Sequence, residues 1–213
     1  MASLSRFKFT LCASITLIVV AVASDSYWRP LPKAWREALG FAPTNLLDLQ
    51  WHRLLTSLLL TAGEWKFLAS ALMLAFSLGI AEARFGTWQT VKLFFTSHLA
   101  VLVALSLLVL GVSVSLQTDW AIQLSESRDI GPSAGYYGCL GAILALLSKS
   151  ARVPIFIGIE TVLAARLMYS IGRLPEDPSV VSADIAHLVA FPLGMCLASW
   201  GFVHARPARP SGS

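Results

Sequence analysis

Charge is scarce in this chain: Asp, Glu, Lys and Arg make up only 13% of its 213 residues, against 56% hydrophobic residues. A soluble domain carries about 25% charged and roughly 45–50% apolar residues, so an ordinary soluble domain is excluded. Cysteine is sparse too. Cys12, Cys139 and Cys196 all fall inside apolar runs, away from any His/Cys/Asp cluster with ligand spacing. Neither a disulfide framework nor a metal site is expected, and no cofactor is required. No basic stretch interleaves with aromatics, which argues against nucleic acid as a partner. Fixed-period repeats, heptads and low-complexity tracts are absent as well. One domain is therefore expected over 1–205, with 206–213 as a disordered polar tail on the cytoplasmic side.

What the chain does have is apolar length. Runs fall at about 9–24, 54–81, 88–112, 133–148, 153–171 and 182–203, each near the ~20 residues that a membrane-spanning helix needs. An all-α, polytopic membrane protein of six transmembrane helices is predicted. The second run is broken by Gly63 and Glu64, so its helix is expected from near Trp65 to about Ile80, with the stretch before it dipping into the bilayer without crossing. With the N-terminus inside, the inner segments hold Arg6, Lys8, Arg84, Lys92, Lys149, Arg152, Arg206 and Arg209 against one acid, Glu82. The outer segments hold six basic residues and eight acids. That asymmetry leans toward a multi-pass protein of bacterial inner-membrane type with both termini cytoplasmic. The first run, with its basic start and Ala-Val-Ala ending, also reads as a signal peptide. An even number of spans returns the basic tail to the inside and favours an uncleaved anchor.

Within this topology, GPSAGYYG (131–138) opens the fourth span at its outer end. Ser133 follows Pro132, which suits a helix start. Ser133 there reads as a helix cap or as a nucleophile. Free N–H groups at a helix N-terminus would stabilise an oxyanion forming beside it. A serine nucleophile needs a base. Of four histidines, His52 lies in the outer loop, His204 near the tail, and His98 in the third run, where a packed, hydrogen-bonded ring is the expectation. His187 lies about five residues into the sixth run, roughly 8 Å below its outer start. An ionisable group inside a span points to function. His187, Ala190 and Gly194 share a helix face, and Gly138 and Ala142 sit at small-xxx-small spacing in the fourth run. Such faces let helices approach closely, bringing Ser133 and His187 toward hydrogen-bond reach. Tyr137, one turn after Ser133, is placed to stack on the imidazole.

In this order and topology, the pattern resembles the rhomboid family of intramembrane serine proteases, over about residues 51–194. The resemblance rests on Gly131 and Ser133 opening the fourth helix, and on His187, Ala190 and Gly194 in the sixth. Tyr137, Arg53 near Trp51, and Glu82, Arg84 and Gly86 at the end of the second helix complete it. The compact chain also looks like the rhombosortase branch, thought to process C-terminal sorting tails. The resemblance implies cleavage of membrane-anchored protein substrates, in or beside their transmembrane segments, by a Ser133–His187 dyad. One departure stands out. Where active rhomboids carry an oxyanion-supporting histidine and asparagine in the second helix, this chain has Lys66 and Ser70, and an earlier loop histidine is replaced by Thr61. Gly131, Ser70, Lys66 and Tyr137 are the implied supporting residues. The alternative is an inactive or weak pseudoprotease that binds transmembrane clients. A small transporter, argued from Glu160 and Arg166 in the fifth run, is a further rival. Asp184, three residues before His187, is a candidate to orient it.

Overall fold

The computed structural model describes residues 6–174 and 177–205; the tail predicted at 206–213 lies outside the described residues. Four helices are long and apolar enough to cross a bilayer: α5 (Glu64–Phe85), α6 (Thr87–Leu116), α9 (Lys149–Ile171) and α10 (Pro178–Ser199). Two more apolar helices are shorter: α1 (Lys8–Ala23) and α8 (Ser133–Ala145), with 16 and 13 residues. The protein is the expected all-α polytopic bundle of six apolar helices. Between α1 and α5 the chain makes only short turns: α2 (Lys33–Leu39), α3 (Thr44–Leu47), α4 (Arg53–Thr56) and a 3-10 turn over Ser57–Leu59. α7 (Asp119–Glu126) lies between α6 and α8.

The break at Gly63 has a plain cause. Its φ of 87° is in the region that favours glycine. A side chain there would also strike backbone after α1, 2.9 Å from the amide N of Leu31. Leu31 N–H donates to Ala62 O (3.1 Å) and Glu64 N–H to Ser26 O (3.1 Å). The chain before α5 is thus paired to the segment leaving α1 instead of forming a helix.

α8 is the hub. It packs on α10, α6 and α5, and eight of its 13 residues are buried. Its three glycines explain how so short a helix fits among three others. A Cβ on Gly135 would overlap the Phe94 ring of α6, one on Gly138 the Ser97 side chain, and one on Gly141 would stand 3.0 Å from Met195 N of α10.

Glu82, fully buried, ties three helices together. Its carboxylate accepts the Phe9 N–H (3.0 Å), the Thr10 N–H (2.9 Å) and the hydroxyls of Thr10 (2.8 Å) and Thr87 (2.6 Å). The first turn of α1, the end of α5 and the start of α6 meet on one side chain. Glu82→Ala leaves several buried donors unpaired, each costing about 1–3 kcal/mol. A lowered melting temperature in detergent is expected, with α1 the first element to gain protease sensitivity. An unchanged melt would show that the clamp does not hold α1.

Candidate active site

Ser133 is the first residue of α8, after Pro132. The strap leading to it is pinned from the opposite side of the sequence. Phe41 and Asp129 exchange backbone hydrogen bonds (3.0 and 2.7 Å), and Gly131 N–H donates to Ser57 O (2.9 Å). Gly131 has φ 122°, a conformation a side chain would strain. The anchoring loop is itself braced. Arg53 donates to Glu37 O (2.6 Å), Gly40 O (3.0 Å) and Gln50 Oε1 (2.5 Å). His98, 1% exposed, pairs with Leu54 O at 2.9 Å, so this histidine is the packed, hydrogen-bonded ring expected.

The same strap carries a pH-sensitive group outside the spans. Burial pushes the Asp129 carboxyl up to about 7, against the pull of the Ile130 N–H and of Arg36. A folded pKa raised above the ordinary 3.8 favours the folded state at low pH, and that stability is lost as pH rises from about 4 to 7. Asp129→Asn is expected to flatten this decline and raise the melting temperature at pH 8. A melting curve at pH 8 unchanged by the substitution would refute it.

His187 comes from α10. The helix begins at Pro178, four residues before the predicted start, because proline suits the first helical position. His187 is therefore nine residues in, roughly 14 Å along the helix by its 1.5 Å rise, and not 8 Å. α8 is short for a span: its 13 residues rise roughly 20 Å against a bilayer core of about 30 Å.

The two helices run parallel in close contact. Gly194 meets the backbone of Gly138, and Gly141 meets Phe191 and Met195. Ala142 and Ala190 are both fully buried. Tyr137 stacks on His187 with ring centroids 4.5 Å apart and planes 28° from parallel. A helical side chain leans toward its own N-terminus, so this stacked pair lies toward the turn that begins at Ser133. His187 is 6% exposed, and among the described residues neither ring nitrogen has a hydrogen-bond partner. Among the described residues no hydrogen bond joins Ser133 to His187, and the α8 side chain that meets the imidazole is Tyr137, one turn after Ser133. Catalytic hydrogen bonds are often long in unliganded enzymes and tighten on substrate.

The other predicted groups divide. The Ser70 side chain interacts with the Tyr136 hydroxyl, next along from the serine turn. Lys66 is exposed on α5, and Thr61 is buried. Arg166 does not pair with Glu160; its Nε lies 2.8 Å from Oδ1 of Asp184 on α10. Asp184 is 1% exposed, also accepts the Ser170 hydroxyl, and lies 3.7 Å from His187 Nδ1. The sequence named Arg166 and Asp184 separately. Their pairing was not visible, because it joins two helices 18 positions apart in the chain.

A family model of the rhomboid domain matches residues 48–204. No curated protein and no solved structure matches. The match covers the loop that pins Gly131, the helix that opens with Ser133 and the one that carries His187, and by it this chain belongs to the rhomboid family.

Proposed function

We propose that the protein is an intramembrane serine endopeptidase in which Ser133 is the nucleophile and His187 the general base. One observation carries the reading. A buried imidazole with neither nitrogen hydrogen-bonded, stacked on Tyr137 one turn after Ser133 on α8, is costly as packing and apt as a base awaiting a proton. His187 Nε2 takes the Ser133 proton as Oγ bonds the substrate carbonyl carbon. The tetrahedral oxyanion is held by the free N–H groups of the first turn of α8, with the Ser70 hydroxyl and the Lys66 ammonium as candidate further donors. His187 then gives the proton to the leaving amine as the peptide C–N bond breaks. Water, deprotonated by His187, attacks the acyl-enzyme and frees Ser133. The substrates are membrane-anchored proteins, cut in or beside a transmembrane segment. The membrane proposed is of bacterial inner-membrane type, with cytoplasmic termini.

The second reading, a client-binding pseudoprotease, draws on the exposure of Lys66 and the engagement of Ser70 with Tyr136, which leave backbone donors to carry most of the oxyanion. A fluorophosphonate probe separates the two. Labelling of the intact protein at Ser133, absent in His187→Ala, supports the protease. A chain that binds a single-span client and takes no label supports the pseudoprotease.

A further inference from the structure

We infer that Asp184 is a positioning residue for His187, accepting the Nδ1–H of the imidazolium that forms when His187 takes the Ser133 proton, with Arg166 and Ser170 holding its carboxylate in place. The inference rests on the dyad reading and deepens it. Three groups converge on this one carboxylate, 1% exposed and one turn from His187. Arg166 reaches across from α9 (Nε to Oδ1, 2.8 Å). The Ser170 hydroxyl, also on α9, donates to Oδ2. His187 Nδ1 stands 3.7 Å from Oδ1, too far for a hydrogen bond and close enough to become one by a small ring displacement.

The chemistry requires such a partner. A neutral imidazole can leave a nitrogen bare, but the imidazolium carries a proton on each. In a dry site an unpaired charged N–H raises the barrier to its own formation. The charged and titratable groups around the ring are Asp184 on its own helix, Arg166 from α9 and Tyr137 from α8. Of these only Asp184 offers an anionic acceptor. Arg166 keeps that carboxylate from standing as a lone buried charge, while its own positive field opposes the imidazolium. The carboxylate therefore acts on the ring from a fixed point, and the arginine partly offsets it.

The rival account is that Asp184, Arg166 and Ser170 only clasp α9 to α10. Both accounts break the same ion pair in Asp184→Asn and in Arg166→Gln, and they separate on rate. The intact protein in detergent is treated with a fluorophosphonate, and its maximal inactivation rate and its probe affinity are measured alongside melting temperature. Expected is a fall in maximal rate of roughly 10–10²-fold in Asp184→Asn at unchanged affinity. Arg166→Gln, melting lower, keeps a rate near or above wild type, because the carboxylate is still there. The double variant, Arg166→Gln with Asp184→Asn, leaves no unpaired charge to unfold the chain and should show the slow rate of Asp184→Asn. Equal rates in the double variant and in Arg166→Gln would overturn the positioning role and leave the clasp. Wild-type protein unlabelled at Ser133, or labelled equally in His187→Ala, would instead overturn the dyad reading and take this inference with it.

Discussion

Ser133→Ala and His187→Ala are each expected to cut the rate of client cleavage in reconstituted vesicles by about 10⁴-fold or more, while the protein keeps its fold. The size follows from what each group does. Without Oγ there is no acyl-enzyme, and without the imidazole the hydroxyl keeps its proton. Either loss removes the covalent route as a whole, so the double variant should be no slower than the single ones. The fold should survive because the ring nitrogens of His187 hold nothing together; what Ala at 187 gives up is the stack on Tyr137. His187→Gln checks this, since it retains bulk and a polar group. Cleavage within tenfold of wild type in Ser133→Ala would end the protease reading. Loss of cleavage accompanied by a collapsed melting curve would point to packing as the role of the replaced side chain.

Much of the bundle was legible because bilayer thickness imposes a length on apolar runs. The break at Gly63 and Glu64 placed the start of α5 within one residue. Less legible were elements whose stability comes from contacts across the chain. The short helices α2 and α3 and the amphipathic α7, with Ala121, Leu124 and Ser125 inward, occupy stretches taken as loops. Each is fixed by what it lies on, not by a strong periodicity. Helix ends missed in the same way: α6 runs four residues past its expected end at Val112, and α10 starts four residues early at a proline that the apolar pattern did not weigh. In the site, Tyr137 against His187 could be anticipated from helix spacing once the two helices were assumed to touch. Glu82 was marked only by resemblance, because its partners Phe9 and Thr10 lie more than 70 positions away. Asp184 was noted near His187, but Arg166 and Ser170 reach it from another helix and only the fold reveals them.

Gly194→Val is expected to be the most damaging substitution away from the reacting groups, costing about 3 kcal/mol or more by forced overpacking and abolishing Ser133 labelling. A Cβ on Gly194 would stand 2.7 Å from the Cα of Gly138 and closer to its carbonyl. Those atoms are backbone of the buried central helix, so no rotamer change can relieve the clash. α10 must move off α8 or tilt. Movement is resisted on α8 by Phe94 and Ser97, which sit against Gly135 and Gly138 from the other side. The displacement therefore falls on α10, and His187, two turns up the same face, goes with it. An outward shift of even 1 Å there opens the Tyr137 stack, which stands at 4.5 Å, and takes the imidazole away from the serine turn. Gly158 of α9 is the control: nothing lies within 4 Å of a Cβ built there, so Gly158→Val adds the same side chain without the clash. Melting temperature and fluorophosphonate labelling of the two variants decide the matter. A Gly194→Val protein that melts and labels like Gly158→Val would mean that the close seam between α8 and α10 does not hold His187 against Tyr137.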